Sequence, residues 1–180
     1  MYGANAFIDI ESEGHMRASL GLEAKGKILD LNANFYEAIS GTENIDGMDE
    51  EVLSGYQFNL TTQMPYMPWS TLNIQNYYFE NIKASNDTEG NKISLEMNLT
   101  PTLQFDISQD FSDTTGVDDE TDFKLSLRYP PTENKPNLQD GFISNVPFEK
   151  ANMKDKLVQK VRRDNNLTVE IQGAVILTKK

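Results

Sequence analysis

Polar and apolar residues alternate almost without interruption through "KISLEMNLTPTLQFDIS", residues 92–108. Ile93, Leu95, Met97 and Leu99 fall on one side of an extended chain, and Lys92, Ser94, Glu96 and Asn98 on the other. After Thr100-Pro101-Thr102 the pattern resumes with Leu103, Phe105 and Ile107 against Gln104, Asp106 and Ser108. Successive strand side chains point to opposite faces, so this alternation predicts a hairpin with one apolar and one polar side. The same rhythm runs through residues 4–10, 16–25, 29–35, 55–64, 72–78 and 121–129. The chain thus reads as all-β, an antiparallel meander of about eight amphipathic strands.

Two architectures satisfy that pattern. A soluble sandwich keeps one face dry and one wet, and a membrane barrel turns its apolar face to lipid. The connections favour the barrel. Short links (Gly26-Lys27, the Pro65 to Ser70 turn, Thr100 to Thr102) alternate with long acidic stretches: "SGTENIDGMDEE" (40–51), "NIKASNDTEGN" (81–91) and "DFSDTTGVDDETD" (110–122). Outer-membrane barrels carry short turns at one rim and long polar loops at the other. Trp69, Tyr66 and Tyr129 fall near one edge, and Phe35, Tyr36, Tyr56 and Tyr78 near the other, as two aromatic girdles would. On this reading Leu20, Leu22, Leu31, Phe58, Leu60, Ile93, Leu95, Met97, Phe105, Leu125 and Leu127 form a lipid-facing band. Asp9, Glu23, Asp30, Glu96, Asp106 and Asp122 face the lumen.

The texture changes after Pro130-Pro131. Residues 132–146 have no period and read as a linker. Residues 147–163 suit a helix, with Pro147 near its first turn and Met153, Leu157 and Val161 on one stripe. Asp164-Asn165-Asn166 stops it, and "LTVEIQGAVILT" looks extended. The chain divides into strands, 1–130, and a linker with helix and extended segment, 131–180.

Composition narrows the functional classes. The 180 residues carry 16 basic and 28 acidic side chains, a formal charge of −12. No net positive field is available for a nucleic-acid backbone. Cysteine is absent, so neither disulfides nor thiolate ligands arise. No apolar run reaches the roughly 18 residues of a membrane helix, but a barrel strand needs only about 9–11 alternating residues. The single histidine, His15, reads as a solvated loop residue with no partner at metal spacing. "DDETD" (118–122) lacks the order of a calcium loop. The serines have no histidine base to activate them, since the one imidazole is that of His15. The expectation is neither enzyme nor cofactor.

Three stretches carry a family resemblance. "GANAFIDIESEGHMRASLGLEA" (3–24), "MNLTPTLQFDISQDFS" (97–112) and "LVQKVRRDNNLTVE" (157–170), in that order, resemble the β-domain of inverse autotransporters, adhesins of the intimin and invasin type. The resemblance implies a bacterial outer-membrane barrel of twelve strands, inserted by the barrel-assembly machinery. It also implies a chain that threads back through the pore, partly as a helix, to deliver a C-terminal adhesive passenger. With eight strands visible, the expectation is the C-terminal part of such a barrel plus its linker. Alternatives are a porin-like channel, or a soluble sandwich binding carbohydrate or a protein.

Charge locates a candidate site within that reading. Residues 131–180 carry 9 basic and 6 acidic side chains, against 7 and 22 in residues 1–130. Arg162 and Arg163 are expected against lumenal carboxylates, Glu96 and Asp106 among them, through bidentate contacts. The resemblance places Asn165 and Asn166 where the chain begins its extended exit.

Overall fold

A computed structural model describes residues 1–131, 135–171 and, as backbone, 174–177. Thr132 to Asn134 of the expected linker, and 172–173 and 178–180 of the expected extended segment, lie outside the described residues.

Ten strands precede the linker: β1 (Tyr2–Ile10), β2 (Met16–Lys25), β3 (Leu29–Ala38), β4 (Glu43–Ile45), β5 (Met48–Val52), β6 (Gly55–Met64), β7 (Met67–Phe79), β8 (Thr88–Asn98), β9 (Leu103–Ser112) and β10 (Glu120–Leu127). Eight of them form one sheet in the order β1-β2-β3-β6-β7-β8-β9-β10, every pair antiparallel. The eight amphipathic strands of the sequence are these eight, and the meander is as expected. Among the described residues β1 and β10 do not pair with each other, so both are edges.

The 40–51 stretch differs from its reading as a long acidic loop. It folds as the β4–β5 hairpin, turned by Asp46 and Gly47, both at positive φ (52° and 83°). Asp-Gly is the dipeptide that such two-residue turns favour, because both central residues must adopt φ > 0. The hairpin stands outside the meander and belongs to a second sheet.

Register fixes the faces. Asn34 pairs with Gln57, Asn59 with Gln75, Asn73 with Ser94, and Ser94 with Ser108. Polar side chains therefore stack strand to strand on one face, and Asn32, Asn34, Gln57, Asn59, Asn73 and Gln104 are buried there. The other face is inverted relative to a soluble protein. Leu20, Leu22, Leu31, Phe58, Ile93, Leu125 and Leu127 are exposed, and Leu60, Leu95, Met97 and Phe105 are half-buried by strand neighbours. Among the described residues no sheet packs over this band, which excludes the sandwich, whose apolar face would lie against a second layer. An apolar face left exposed across the strands of a sheet fits lipid.

The girdle expectation is corrected at two residues. Trp69 and Tyr36 point inward and are buried, Trp69 donating from Nε1 to the Phe142 carbonyl at 3.0 Å. Both carry a polar tip, and the lumen supplies its partner. Inside the long-loop end, Tyr36, Leu53, Tyr77 and Phe79 form an apolar cluster. Tyr77 covers Gly90, where a Cβ would lie 2.5 Å from the Tyr77 hydroxyl.

The linker departs most from expectation. After a 3-10 turn (Leu138–Asp140), the only α-helix among the described residues is α1 (Met153–Leu157), five residues where seventeen were expected. Asn152 caps it, its side chain accepting from the Lys154 N–H at 3.0 Å. The stripe of Met153, Leu157 and Val161 fails at its centre, because Leu157 is exposed rather than packed on a wall. Residues beyond 158 run extended instead, their backbone groups taken up by the polar lining. The chain ends in β11 (Thr168–Ile171) and β12 (Ala174–Leu177), which join β5 and β4 in a second sheet ordered β12-β11-β5-β4.

Candidate functional site

The polar, concave face of the sheet holds the linker. The path starts at the short-turn rim, where the Tyr66 N–H donates to the Pro147 carbonyl and the Ala151 N–H to the Lys27 carbonyl. It then climbs β3 step by step. Lys156 Nζ bonds Asp30 at 2.6 Å, the Asn34 side-chain amide donates to the Arg162 carbonyl at 3.1 Å, and the Asp164 N–H donates to the Tyr36 hydroxyl at 3.1 Å. The Leu53 N–H donates to the Thr168 carbonyl at 2.9 Å at the long-loop rim. Residues 147–168 thus cross the full height of the sheet from one rim to the other.

Two consecutive arginines brace this passage. In an extended chain neighbouring side chains point apart, and Arg162 and Arg163 reach different walls. Arg162 Nη2 lies 2.6 Å from Glu96 on β8. Arg163 contacts Asp9 on β1 through Nη1 at 2.8 Å and Nη2 at 2.5 Å, with its guanidinium 4.3 Å above the Phe7 ring. Asp9 is shared. Arg17, fully buried on β2, donates to it from Nε at 3.3 Å and Nη2 at 3.1 Å. Arg17 Nη2 also donates to the Asp164 carbonyl at 2.9 Å, and the guanidinium sits 4.2 Å over Tyr36. One carboxylate between two guanidiniums, in a partly dehydrated lumen, makes these bonds stronger than surface pairs.

The structure joins Arg162 to Glu96 but not to Asp106, which instead accepts from Gln104. Asn166 donates its backbone N–H to the Asp164 side chain at 2.9 Å, turning the chain toward the rim. Asn165 and Asn166 line a cleft of about 330 Å³ with residues 8–11 of the β1 edge. Among the other expected lumenal acids, Glu23 pairs with Lys25 and Asp122 with Lys92. His15 is corrected: it is 1 % exposed, with Nε2 3.0 Å from Glu50 on β5, because the β4–β5 hairpin folds over it. Sequence reasoning missed the Asp9–Arg17 and Lys156–Asp30 pairs. The first was legible, since a hairpin turning at residues 11–15 puts position 9 opposite 17. The second needed the path of the linker.

An antiparallel meander with lipid-compatible outer side chains and a polar inner face defines a transmembrane β-barrel protein. A model of the inverse autotransporter β-domain family matches residues 1–165, and the chain belongs to that family. It is therefore an outer-membrane barrel domain. No described helix is long and apolar enough to cross a membrane, which says nothing of crossing by strands. The chain is 28 % identical over 109 residues to the uncharacterized protein YchO of Escherichia coli (strain K12). That match covers 56 % of this chain and 24 % of YchO, so the chain spans about a quarter of that relative's length. A chain solved in work on the in-meso crystallization of membrane proteins has the same fold, with a TM-score of 0.76 and 17 % identity. The superposition covers 96 % of this chain and 74 % of the other.

Proposed function

We propose that this barrel anchors in the outer membrane and exports a C-terminal adhesive passenger, with residues 147–168 as the segment that occupies the exit route. The short turns then lie in the periplasm and the long acidic loops outside. The strands of residues 1–130 form the wall, part of a larger barrel, and residues 131–180 serve as the linker. Insertion would use the barrel-assembly machinery.

One observation carries the reading: a basic segment, helical only over α1, crosses an acidic lumen from rim to rim, held at Asp30, Glu96 and Asp9. A passive channel has no reason to fill its lumen with its own chain and to fix that chain by three ion pairs. Asn165 and Asn166 act where the chain turns from these pairs toward the outer rim.

An epitope fused at the C-terminus and probed on intact cells tests the proposal. Antibody binding without permeabilisation is expected. An epitope detected only after the outer membrane is breached, with the barrel properly inserted, would refute export.

A further inference from the structure

Outside the long-loop rim, three elements of different origin converge on residues 167–171. The β4–β5 hairpin offers a strand edge, on which β11 pairs in the register Val169 to Val52, Glu170 to Glu51 and Ile171 to Glu50. Val52, Leu167 and Val169 form a buried apolar cluster, with Ala38 and Ile171 packed on it. The turn after β7 supplies the third element. The backbone N–H groups of Ile82, Lys83 and Ala84 all point at the Glu170 carboxylate, at 2.6, 3.0 and 2.6 Å at their closest. Glu170 is 2 % exposed.

We propose that the β4–β5 hairpin and the 82–84 turn form a capture site for the first strand to leave the lumen, selective for an apolar-Thr-apolar-Glu-apolar segment. Capture holds emerged chain on the outer side against return. The inference rests on the export reading above.

Each part of the site matches one feature of the segment. Successive backbone N–H groups in a turn make an anion-binding nest, which a carboxylate fills with charge and two acceptor oxygens and a neutral amide with one oxygen and no charge. Glu51 stands directly opposite Glu170, a like-charge pair that would repel across a ladder. The nest and Lys83, whose Nζ lies 3.3 Å from Glu51, offset that repulsion. Leu167, Val169 and Ile171 share one face by strand alternation and supply the apolar contacts. β12 then pairs on the free side of β11, so the captured strand gains ladder bonds on both edges.

The bias is directional. Inside the lumen Glu170 must pass Asp30, Glu96 and Asp9, which repel it. Outside, the same charge meets three donors. An acidic residue at this position is thus disfavoured on the way through and held once through.

These 180 residues contain no cysteine, so an introduced pair reports cleanly. Val52 and Val169 are direct partners next to the hydrogen-bonded Leu53–Thr168 pair, where side chains approach closely enough for a disulfide. In cells making the chain with a C-terminal epitope, Val52→Cys with Val169→Cys should cross-link no later than the epitope reaches the surface. Glu170→Gln should slow both events about tenfold, the scale set by losing charge-assisted bonds. Ala84→Pro, which removes one donor from the barrel side, should slow both to a smaller extent. Cross-linking that follows surface exposure, or exposure at the parent rate in both variants, would overturn capture while leaving export intact. An epitope that never reaches the surface in the parent chain would overturn export itself.

Discussion

Asp9 and Arg163 form one contact, yet removing either partner should have unequal effects. Arg163→Met deletes two bonds to Asp9 and the stacking over Phe7, but Asp9 keeps Arg17 as its cation. The loss is that of charge-assisted bonds with no orphan left behind, about 1–3 kcal/mol. Asp9→Asn leaves two guanidiniums side by side with no carboxylate between them. One of these, Arg17, is fully buried. Breaking a buried pair in that way costs about 3–5 kcal/mol. The Asp164 carbonyl at 2.9 Å and the face of Tyr36 remain for Arg17, which places the expected cost at the lower end of that range. The assay is urea unfolding of the protein in lipid vesicles, read by Trp69, the single tryptophan, whose ring contacts Phe142 of the linker. Asp9→Asn should lower stability by at least about 1 kcal/mol more than Arg163→Met. The reverse order, or changes below about 0.5 kcal/mol in both, would refute the shared-carboxylate argument.

Three further outcomes follow from the faces and the turns. Leu95→Arg, which puts a charge in the lipid-facing band, should lower membrane stability by about 2–4 kcal/mol near the midplane, whereas Ser94→Arg in the lumen should do much less; equal tolerance in a vesicle-folding assay would contradict the register. Gly90→Ala places a methyl 2.5 Å from the Tyr77 hydroxyl and 2.6 Å from the Phe111 carbonyl, so a loss of about 1–3 kcal/mol is expected. Adding Tyr77→Phe should recover only part of it, because the Phe111 oxygen is backbone, and a complete recovery in urea titration would be wrong for this geometry. Gly47→Val, at φ 83°, should cost the β4–β5 hairpin about 1–2 kcal/mol and speed amide exchange in β5 and β11, with the main sheet unchanged. Uniform acceleration across β1 to β10 would show that the hairpin is not a separate unit.

The meander was legible because strand period and face are local properties of the sequence. Alternation placed Ser94 inward and Leu95 outward with no knowledge of their neighbours, and the long loops marked one rim. Three features were not local. The β4–β5 hairpin is too short and too acidic to alternate visibly, although Asp46-Gly47 carried its turn signal. The linker helix was overread: Met153, Leu157 and Val161 have helical spacing, but a stripe makes a helix only where a surface covers it. Here the lumen offers polar groups, which bind extended backbone at Asn34 and Tyr36 instead. Trp69 and Tyr36 follow the same logic, since an amphipathic ring serves a girdle or a polar lumen equally well. For the candidate site, charge segregation put the cations in residues 131–180 and the carboxylates on the strands. Which arginine meets which acid depends on chain path, and Arg162 and Arg163 reach separate walls only because that part of the linker is extended.

The central claim is that the linker occupies the lumen. Arg162 and Glu96 meet through long side chains, so their backbones lie too far apart for a direct disulfide. Arg162→Cys with Glu96→Cys should instead be joined by a short bifunctional maleimide in intact outer membranes, with the cysteine at position 162 shielded from bulky, impermeant thiol reagents on either side. If the pair does not cross-link, and position 162 reacts freely with such a reagent, the linker lies outside the pore and the account fails.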